Sequence, residues 1–422
     1  MHLSKDGLWE KFDLLLFFIF SNKEGDAFLL SNNRSINFRK DLRLNKNRKM
    51  ELIFYYFSES IFRNRLYMPK VLFLIPYPLN SAPSQRFRFE QYIHLLKANN
   101  IVPVFQSFIG QETWSILYSK GNLYLKINGF FSGFFRRITL LTTAFRYEYV
   151  FIHREASPVG PPVFEWFFAK VLRRKIIYDF DDAIWMAQTG KENFLTKVAK
   201  NPGKVNKIIK WSYKISCGNS YLKNHAQEFN KNVMINPTTI DTEGLHFKLK
   251  DQNTDEVVIG WTGTHSTMIY LEQAIPFLRK LYQIKEFKLL VISNQKPDFE
   301  FPQMKFVKWN EQTEQEDLLA MNIGIMPLAD NEWTRGKCGF KALQYMALGI
   351  PALVSPVGVN TEIVDHGING FVCDSEIDWL KHLTDLIDNA QLRSEMGKKA
   401  REKIVNKYSV KSNQENFLSL FS

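Results

Sequence analysis

The stretch from Arg335 to Gln344 concentrates residue types suited to holding an anion. Arg335, Lys337 and Lys341 alternate with Gly336 and Gly339, in the order Arg335-Gly336-Lys337-Cys338-Gly339-Phe340-Lys341. The apolar spacing of 339–348 predicts a helix that opens at Gly339, and the first amides of a helix have no intrahelical acceptors. Those amides, the positive end of the helix dipole and the neighbouring cations together favour a phosphate. Glycines at 336 and 339 let a diphosphate approach the backbone closely. Gln344 lies further along the same helix, where its amide can both donate and accept. The turn 356–360 follows the next strand and is expected to face the same cleft. Read singly, each feature has a plain structural explanation, such as Gly339 in helix–strand packing or Lys341 on a solvated face. In combination and in this order they point to a nucleotide diphosphate.

A second group lies far upstream. His153 ends an apolar run at 149–152, and Asp179, Asp181 and Asp182 end another at 175–178. Such ends are where parallel sheets bind ligands. The carboxylates at 181 and 182 suit orienting a hydroxyl or removing its proton, and capping a helix is their structural alternative. His153 suits contact with a ligand or the tying of a loop. Arg86 and Arg88 follow the first strand and, with Asp179, are expected to grip a polar or anionic acceptor.

The elements that must position these groups repeat one pattern. Strands are expected at 71–75, 102–105, 149–152, 175–178, 214–217 and 233–235, with helices at 86–97 and 162–172. Composition turns polar at 251–255, and the pattern restarts with strands at 257–261, 288–292, 305–307, 323–327 and 352–355, and helices at 266–282, 314–320 and 339–348. Short apolar runs alternating with helices predict parallel sheets covered on both faces. The fold class is therefore α/β, with two Rossmann-like doubly wound domains, 68–250 and 256–400, facing a central cleft. Residues 401–422 are expected to return as a helix to the first lobe.

The block Met346-Ala347-Leu348-Gly349-Ile350-Pro351, followed by Glu362-Ile363-Val364 and Asn369-Gly370, resembles the retaining glycosyltransferases of family 4 (group 1). The resemblance runs from Met68 to the C-terminus, is strongest over 323–373 and is weak before 150. It implies the GT-B fold and a metal-independent, hexosyltransferase-type transfer. The sugar would pass from a nucleotide-diphosphate donor to a glycan or lipid-linked acceptor, with retention, in cell-surface polysaccharide or glycolipid synthesis. Donor contacts are expected from Gly263, Thr264, Trp309, Arg335, Lys337, Gly339, Phe340, Lys341 and Gln344, with Arg335, Lys337 and Lys341 supplying the charge that the family carries elsewhere, and with simple packing as the alternative for Trp309. The resemblance places His153 near the donor sugar and gives Asp181 and Asp182 the acceptor-side chemistry. No resident cofactor or metal is implied. Two departures stand out: the family's paired glutamates correspond to Gly336 and Gln344, and Thr262-Gly263-Thr264-His265-Ser266 lacks the usual Arg and Lys. Rival readings are a metal-binding Asp-x-Asp at 179–181 of the GT-A kind, a nucleotide-sugar epimerase of the same two-lobed plan, and a catalytically silent nucleotide-sugar-binding subunit.

Composition narrows the partners. The chain has 422 residues and a net charge of +12. A basic balance favours phosphorylated ligands or an anionic membrane face. The charge is dispersed and no groove-reading motif occurs, so no nucleic-acid partner is expected. Cys217, Cys338 and Cys373 form no disulfide framework and no metal spacing, which fits a cytoplasmic, reducing setting. The run 14–20 is short of the roughly 20 apolar residues that span a bilayer. Residues 1–67 hold no persistent period and are expected to be an upstream extension without a folded role, with Met68 as the true start. An accessory membrane-contacting arm is the alternative. The aromatic-basic stretch Phe130-Phe131, Phe134-Phe135, Arg136-Arg137 and Phe145-Arg146 suits either a helix at the inner membrane surface or a core helix with a charged edge.

Overall fold

The computed structural model describes residues 19–21, 27–31, 34–37, 68–117, 119, 121–186, 201 and 203–422. The chain divides into two compact units, Met1–Met68 and Pro69–Ser422. The expectation for 1–67 falls mostly outside the described residues. Those described within it form a short antiparallel sheet of β1 (Ile19–Ser21), β2 (Ala27–Ser31) and β3 (Arg34–Asn37).

The second unit contains two parallel six-stranded sheets. In the first lobe the order is β5-β4-β6-β7-β8-β9, where β4 is Lys70–Ile75, β5 Val102–Ser107, β6 Tyr149–His153, β7 Lys175–Phe180, β8 Lys214–Cys217 and β9 Val233–Ile235. In the second it is β12-β11-β10-β13-β14-β15, with β10 Val258–Gly263, β11 Lys288–Ser293, β12 Met304–Lys308, β13 Ile323–Met326, β14 Ala352–Val354 and β15 Gly370–Val372. Val71 to Ile75 are all buried, as a strand covered on both faces requires. The fold class is thus the GT-B arrangement of two Rossmann-like lobes. β15 has no counterpart in the sequence reading.

The expected helix at 86–97 is broken into Pro83–Arg86, a turn at Glu90–Tyr92 and Ile93–Ala98. The break has a physical cause: Arg86 and Arg88 turn inward and are both buried. Beyond the helix Ala390–Lys403 the chain crosses back to the first lobe. Phe417 stacks on Tyr92 with centroids 4.2 Å apart, and Phe417, Leu420 and Phe421 share a core with Val71, Phe73 and Phe151.

Candidate active site

The helix Phe340–Ala347 begins at Gly339, whose φ of 67° lies in the left-handed region. A Cβ there would also come within 2.2 Å of Ile363 Cδ1. Gly339→Ala is therefore expected to lower unfolding stability by about 2 kcal/mol, read by denaturant titration. An unchanged midpoint would show that the turn tolerates a side chain.

Two lysines stand at this helix start, and neither has a carboxylate partner within ion-pair distance among the described residues. Lys337 Nζ lies 5.8 Å from the centre of the Trp333 ring. Lys341 Nζ lies 5.2 Å from the centre of the buried Trp261 ring. Burial lowers the Lys341 ammonium to about 7, Lys337 pushes the same way, and the Asp182 carboxylate opposes them. Unneutralised positive charge beside free helix amides is a receptor for a multiply charged anion. Arg335 does not join them. It is half exposed and makes a two-pronged contact with Asp330, Nε to Oδ1 at 2.7 Å and Nη2 to Oδ2 at 2.9 Å. The expected third cation is thus a surface ion pair.

Gly336 packs against the opposite lobe. A Cβ there would lie 2.8 Å from the Ala183 Cβ and 2.9 Å from the Ala183 nitrogen. Asn219 Nδ2 donates to the carbonyls of Gly336 and Lys337 at 3.1 and 3.0 Å. Cys338 Sγ donates to the Asp181 carbonyl at 3.1 Å. The loop before the helix is therefore fastened to the ends of β7 and β8, and in this arrangement no glutamate fits at 336.

On that facing side Arg154 adopts φ 61° just past β6. Its Nε and Nη2 donate to Asp181 Oδ1 at 2.9 and 2.7 Å, and Nη2 also reaches Asp182 Oδ2 at 2.7 Å. Asp181 Oδ2 and Asp182 Oδ1 accept no protein hydrogen bond among the described residues, so each retains capacity for a substrate hydroxyl.

Asp179 and Arg88 are placed elsewhere than expected. Both are buried. Arg88 pairs through Nη2 with Asp179 Oδ1 and donates through Nη1 to the Asn236 carbonyl. Ser216 Oγ donates to Asp179 Oδ1 at 2.6 Å, and His153 Nδ1 donates to Asp179 Oδ2 at 2.8 Å. Burial alone would raise the Asp179 carboxyl, but the Arg88 guanidinium and the His153 donor outweigh it and hold it well below the usual carboxylate range. These two residues brace the sheet and orient His153, and both are engaged within the protein. His153 is itself fully buried, and its Nε2 has no hydrogen-bond partner among the described residues. The carboxylates at 179, 181 and 182 each face a guanidinium, which is poor provision for a cation.

Arg86 is likewise engaged within the protein. It crosses between the lobes, Nη2 to Glu314 Oε2 at 2.9 Å and Nε to Glu311 Oε1 at 3.4 Å. Glu314 Oε1 also accepts from Trp309 Nε1 at 3.0 Å and Gln344 Nε2 at 3.2 Å. Gln344 and Trp309 thus share one carboxylate, with His246 3.5 Å from Gln344 Nε2. Burial lowers the His246 imidazole to about 4, against the opposing pull of Glu314, so it is neutral at physiological pH. Phe340 packs on Phe87 of the first lobe at 4.4 Å. Gly263 ends β10 and Thr264 begins the loop after it, where Thr264 Oγ1 meets Ser266 Oγ at 2.9 Å.

The structure therefore gathers Lys337, Gly339, Lys341, Asp181 and Asp182 around one cleft face, and Trp309 and Gln344 around Glu314. Arg154, Asn219, His246 and Glu314 were not singled out from sequence. Arg154 had a readable signal, a cation at a strand end beside His153. Glu314 had none, since an acidic residue in a first helical turn is ordinary.

Residues 302–403 match the family model of the group 1 glycosyl transferases. This span contains the Gly339-capped helix and both lysines. No curated protein matches the chain in sequence. Among solved structures, sucrose-phosphate synthase from Thermosynechococcus elongatus is 12% identical, with a TM-score of 0.57 over 84% of this chain and 98% of that one. Anabaena HepE in complex with UDP is 12% identical, with a TM-score of 0.56 over 83% and 99%. A glycosyltransferase from Rickettsia africae is 11% identical, with a TM-score of 0.59 over 84% and 97%. At these identities the likeness is one of fold.

Proposed function

We propose that the chain transfers a glycosyl group from a nucleotide-diphosphate sugar to a glycan or lipid-linked acceptor, with retention of anomeric configuration. One observation carries the reading: the segment that matches the family is the segment that sets two unneutralised lysines at a glycine-capped helix start. HepE, similar in fold, binds UDP and UDP-glucose, which supports a nucleoside diphosphate as the anion here.

In this reading the diphosphate rests on the first amides of the helix and on Lys337 and Lys341. The bond between the anomeric carbon and the phosphate oxygen breaks, and the acceptor oxygen bonds to that carbon from the same face. The acceptor proton leaves to the departing phosphate oxygen. Charge accumulates on the diphosphate as it departs, where fixed amides and lysines stabilise it most. The free oxygens of Asp181 and Asp182 orient the acceptor hydroxyl. Lysines and amides take the charge-neutralising part, so transfer is expected to survive a chelator. The acceptor side works at the cytoplasmic face of the membrane.

Gly336 favours a second reading, a silent nucleotide-sugar-binding subunit, since it replaces a family glutamate. A donor screen on the full chain with membrane extract, with and without chelator, separates the two. Transfer lost in Lys337→Ala, with an unchanged thermal transition, supports the enzyme. Donor binding without turnover of any nucleotide sugar supports the silent subunit. Turnover unaffected by Lys337→Ala would remove the site assignment. Gly336→Glu is expected to reduce turnover about tenfold or more, because the added side chain must displace Ala183. A gain in turnover would show that the glutamate is simply missing.

A further inference from the structure

The helix Leu123–Leu141 has two faces of different character. Its inner face packs closely on the first lobe. A Cβ on Gly129 would lie 2.1 Å from Thr113 Oγ1, and one on Gly133 would lie 2.6 Å from the Phe108 carbonyl oxygen. Arg137, also on this face, is fully buried and donates to the carbonyls of Ala156, Gln106 and Ile75. Arg136 folds back to the Phe108 carbonyl and Ser132 Oγ. Arg136 and Arg137 thus turn into the protein, whereas Arg146, the remaining arginine of this stretch, is exposed.

The outer face bears Tyr124, Ile127, Phe131, Phe135 and Ile138, at helical spacing and all exposed. Phe131 and Phe135 are 69% and 68% exposed. The other exposed positions between 123 and 142 are uncharged, among them Asn128, Ser132, Thr139 and Thr142. A charge-free aromatic stripe several turns long is unusual on a surface that faces only water.

Cations occupy its border. Arg146 lies in the turn directly after this helix. The neighbouring helical segment from Val163 to Val171 packs alongside, with Phe164 and Phe134 centroids 6.3 Å apart. It exposes Val163, Trp166, Lys170 and, just beyond, Arg173. Arg174 donates to the Tyr147 carbonyl at 3.3 Å, which brings this end next to Arg146. Arg146, Lys170 and Arg173 pair with no carboxylate among the described residues. No helix among the described residues is long and apolar enough to cross a membrane.

We propose that this face lies in the headgroup layer of an anionic lipid bilayer, with Phe131 and Phe135 inserted among the acyl chains and Arg146, Lys170 and Arg173 against lipid phosphates. An uncharged stripe with cations at its edge is the charge pattern that an anionic interface complements, and tryptophan prefers that boundary. Pairing the face with a second copy about a two-fold axis would set these same cations near one another. The inference goes beyond the proposed glycosyl transfer and holds whatever donor the chain uses.

The test is co-sedimentation of the full chain with phosphatidylcholine vesicles, with and without phosphatidylglycerol. Binding is expected to mixed vesicles, to weaken with salt, and to be much lower on phosphatidylcholine alone. Phe131→Ser with Phe135→Ser is expected to reduce partitioning about tenfold or more. Arg146→Glu with Lys170→Glu should reduce it by a similar factor. All four side chains are exposed, so the thermal transition should not move. Absence of binding to mixed vesicles overturns the proposal, as does binding unaffected by the phenylalanine pair. A concentration-dependent dimer abolished by that pair, without vesicle binding, would assign the face to a second copy.

Discussion

Lys341→Met is expected to weaken UDP binding about a hundredfold and to remove most of its pH dependence above neutrality. Burial and Lys337 together leave the free Lys341 ammonium at about 7, so near pH 7 it is only partly charged. A diphosphate arriving beside it favours the protonated form, and binding above pH 7 must therefore take up a proton. The sign follows directly: affinity is greatest below about 7 and falls by as much as tenfold per pH unit above it. Loss of the charge costs about 3 kcal/mol when the hydrogen bond is charge-assisted and sheltered from water. Calorimetry in two buffers of different ionisation enthalpy measures the proton uptake. An equal slope and equal uptake in the methionine variant would place the titrating group elsewhere.

The second large effect concerns stability. Asp179→Asn is expected to destabilise the first lobe by about 4 kcal/mol, because Arg88 remains buried with its counter-charge removed. Asp179 in the folded chain is held well below the ordinary carboxylate range. Its contribution is therefore complete above the unfolded value of about 4 and is lost as pH falls through and below it. Denaturant titrations between neutral and acid pH should show this acid-sensitive part in the parent and lack it in Asp179→Asn. The same substitution withdraws the acceptor that fixes the His153 ring. A parent and variant of equal stability at neutral pH would mean that the buried network relaxes without cost.

Most strands of the two sheets were legible as short apolar runs, and the central ones, such as 71–75 and 149–153, are buried on both faces. The Gly339 helix start was legible for a related reason, since a positive φ and a close approach demand glycine. The arginines were not. Arg86 and Arg88 read as an acceptor grip and Arg137 as part of an aromatic-basic helix, and Arg154 did not stand out, yet the first three are buried and the fourth is held by two carboxylates. What distinguishes them is a partner supplied by another strand or the other lobe, Glu314 for Arg86 and Asp179 for Arg88. Such pairings depend on topology, and composition and spacing carry no record of them. The aromatic run at 130–135 shows the same limit. Periodicity separates its inner and outer phenylalanines only once the direction of the core is known.

The return of the chain after Ala390–Lys403 has a mechanical meaning. The lobes are joined by two crossings, 236–257 and 404–413, and these run side by side. Ile240 receives a hydrogen bond from Val410 at 3.1 Å and gives one to the Tyr408 carbonyl at 2.8 Å. A single tether would leave the halves free to twist and slide. Two tethers fastened together act as the pins of a door, leaving swing about one line as the soft motion. Any swing about that line would return Asp181 and Asp182 to the same position opposite Lys341. The last residues of the chain, distant from any reacting atom, hold the second pin in its frame and so set how faithfully the door shuts.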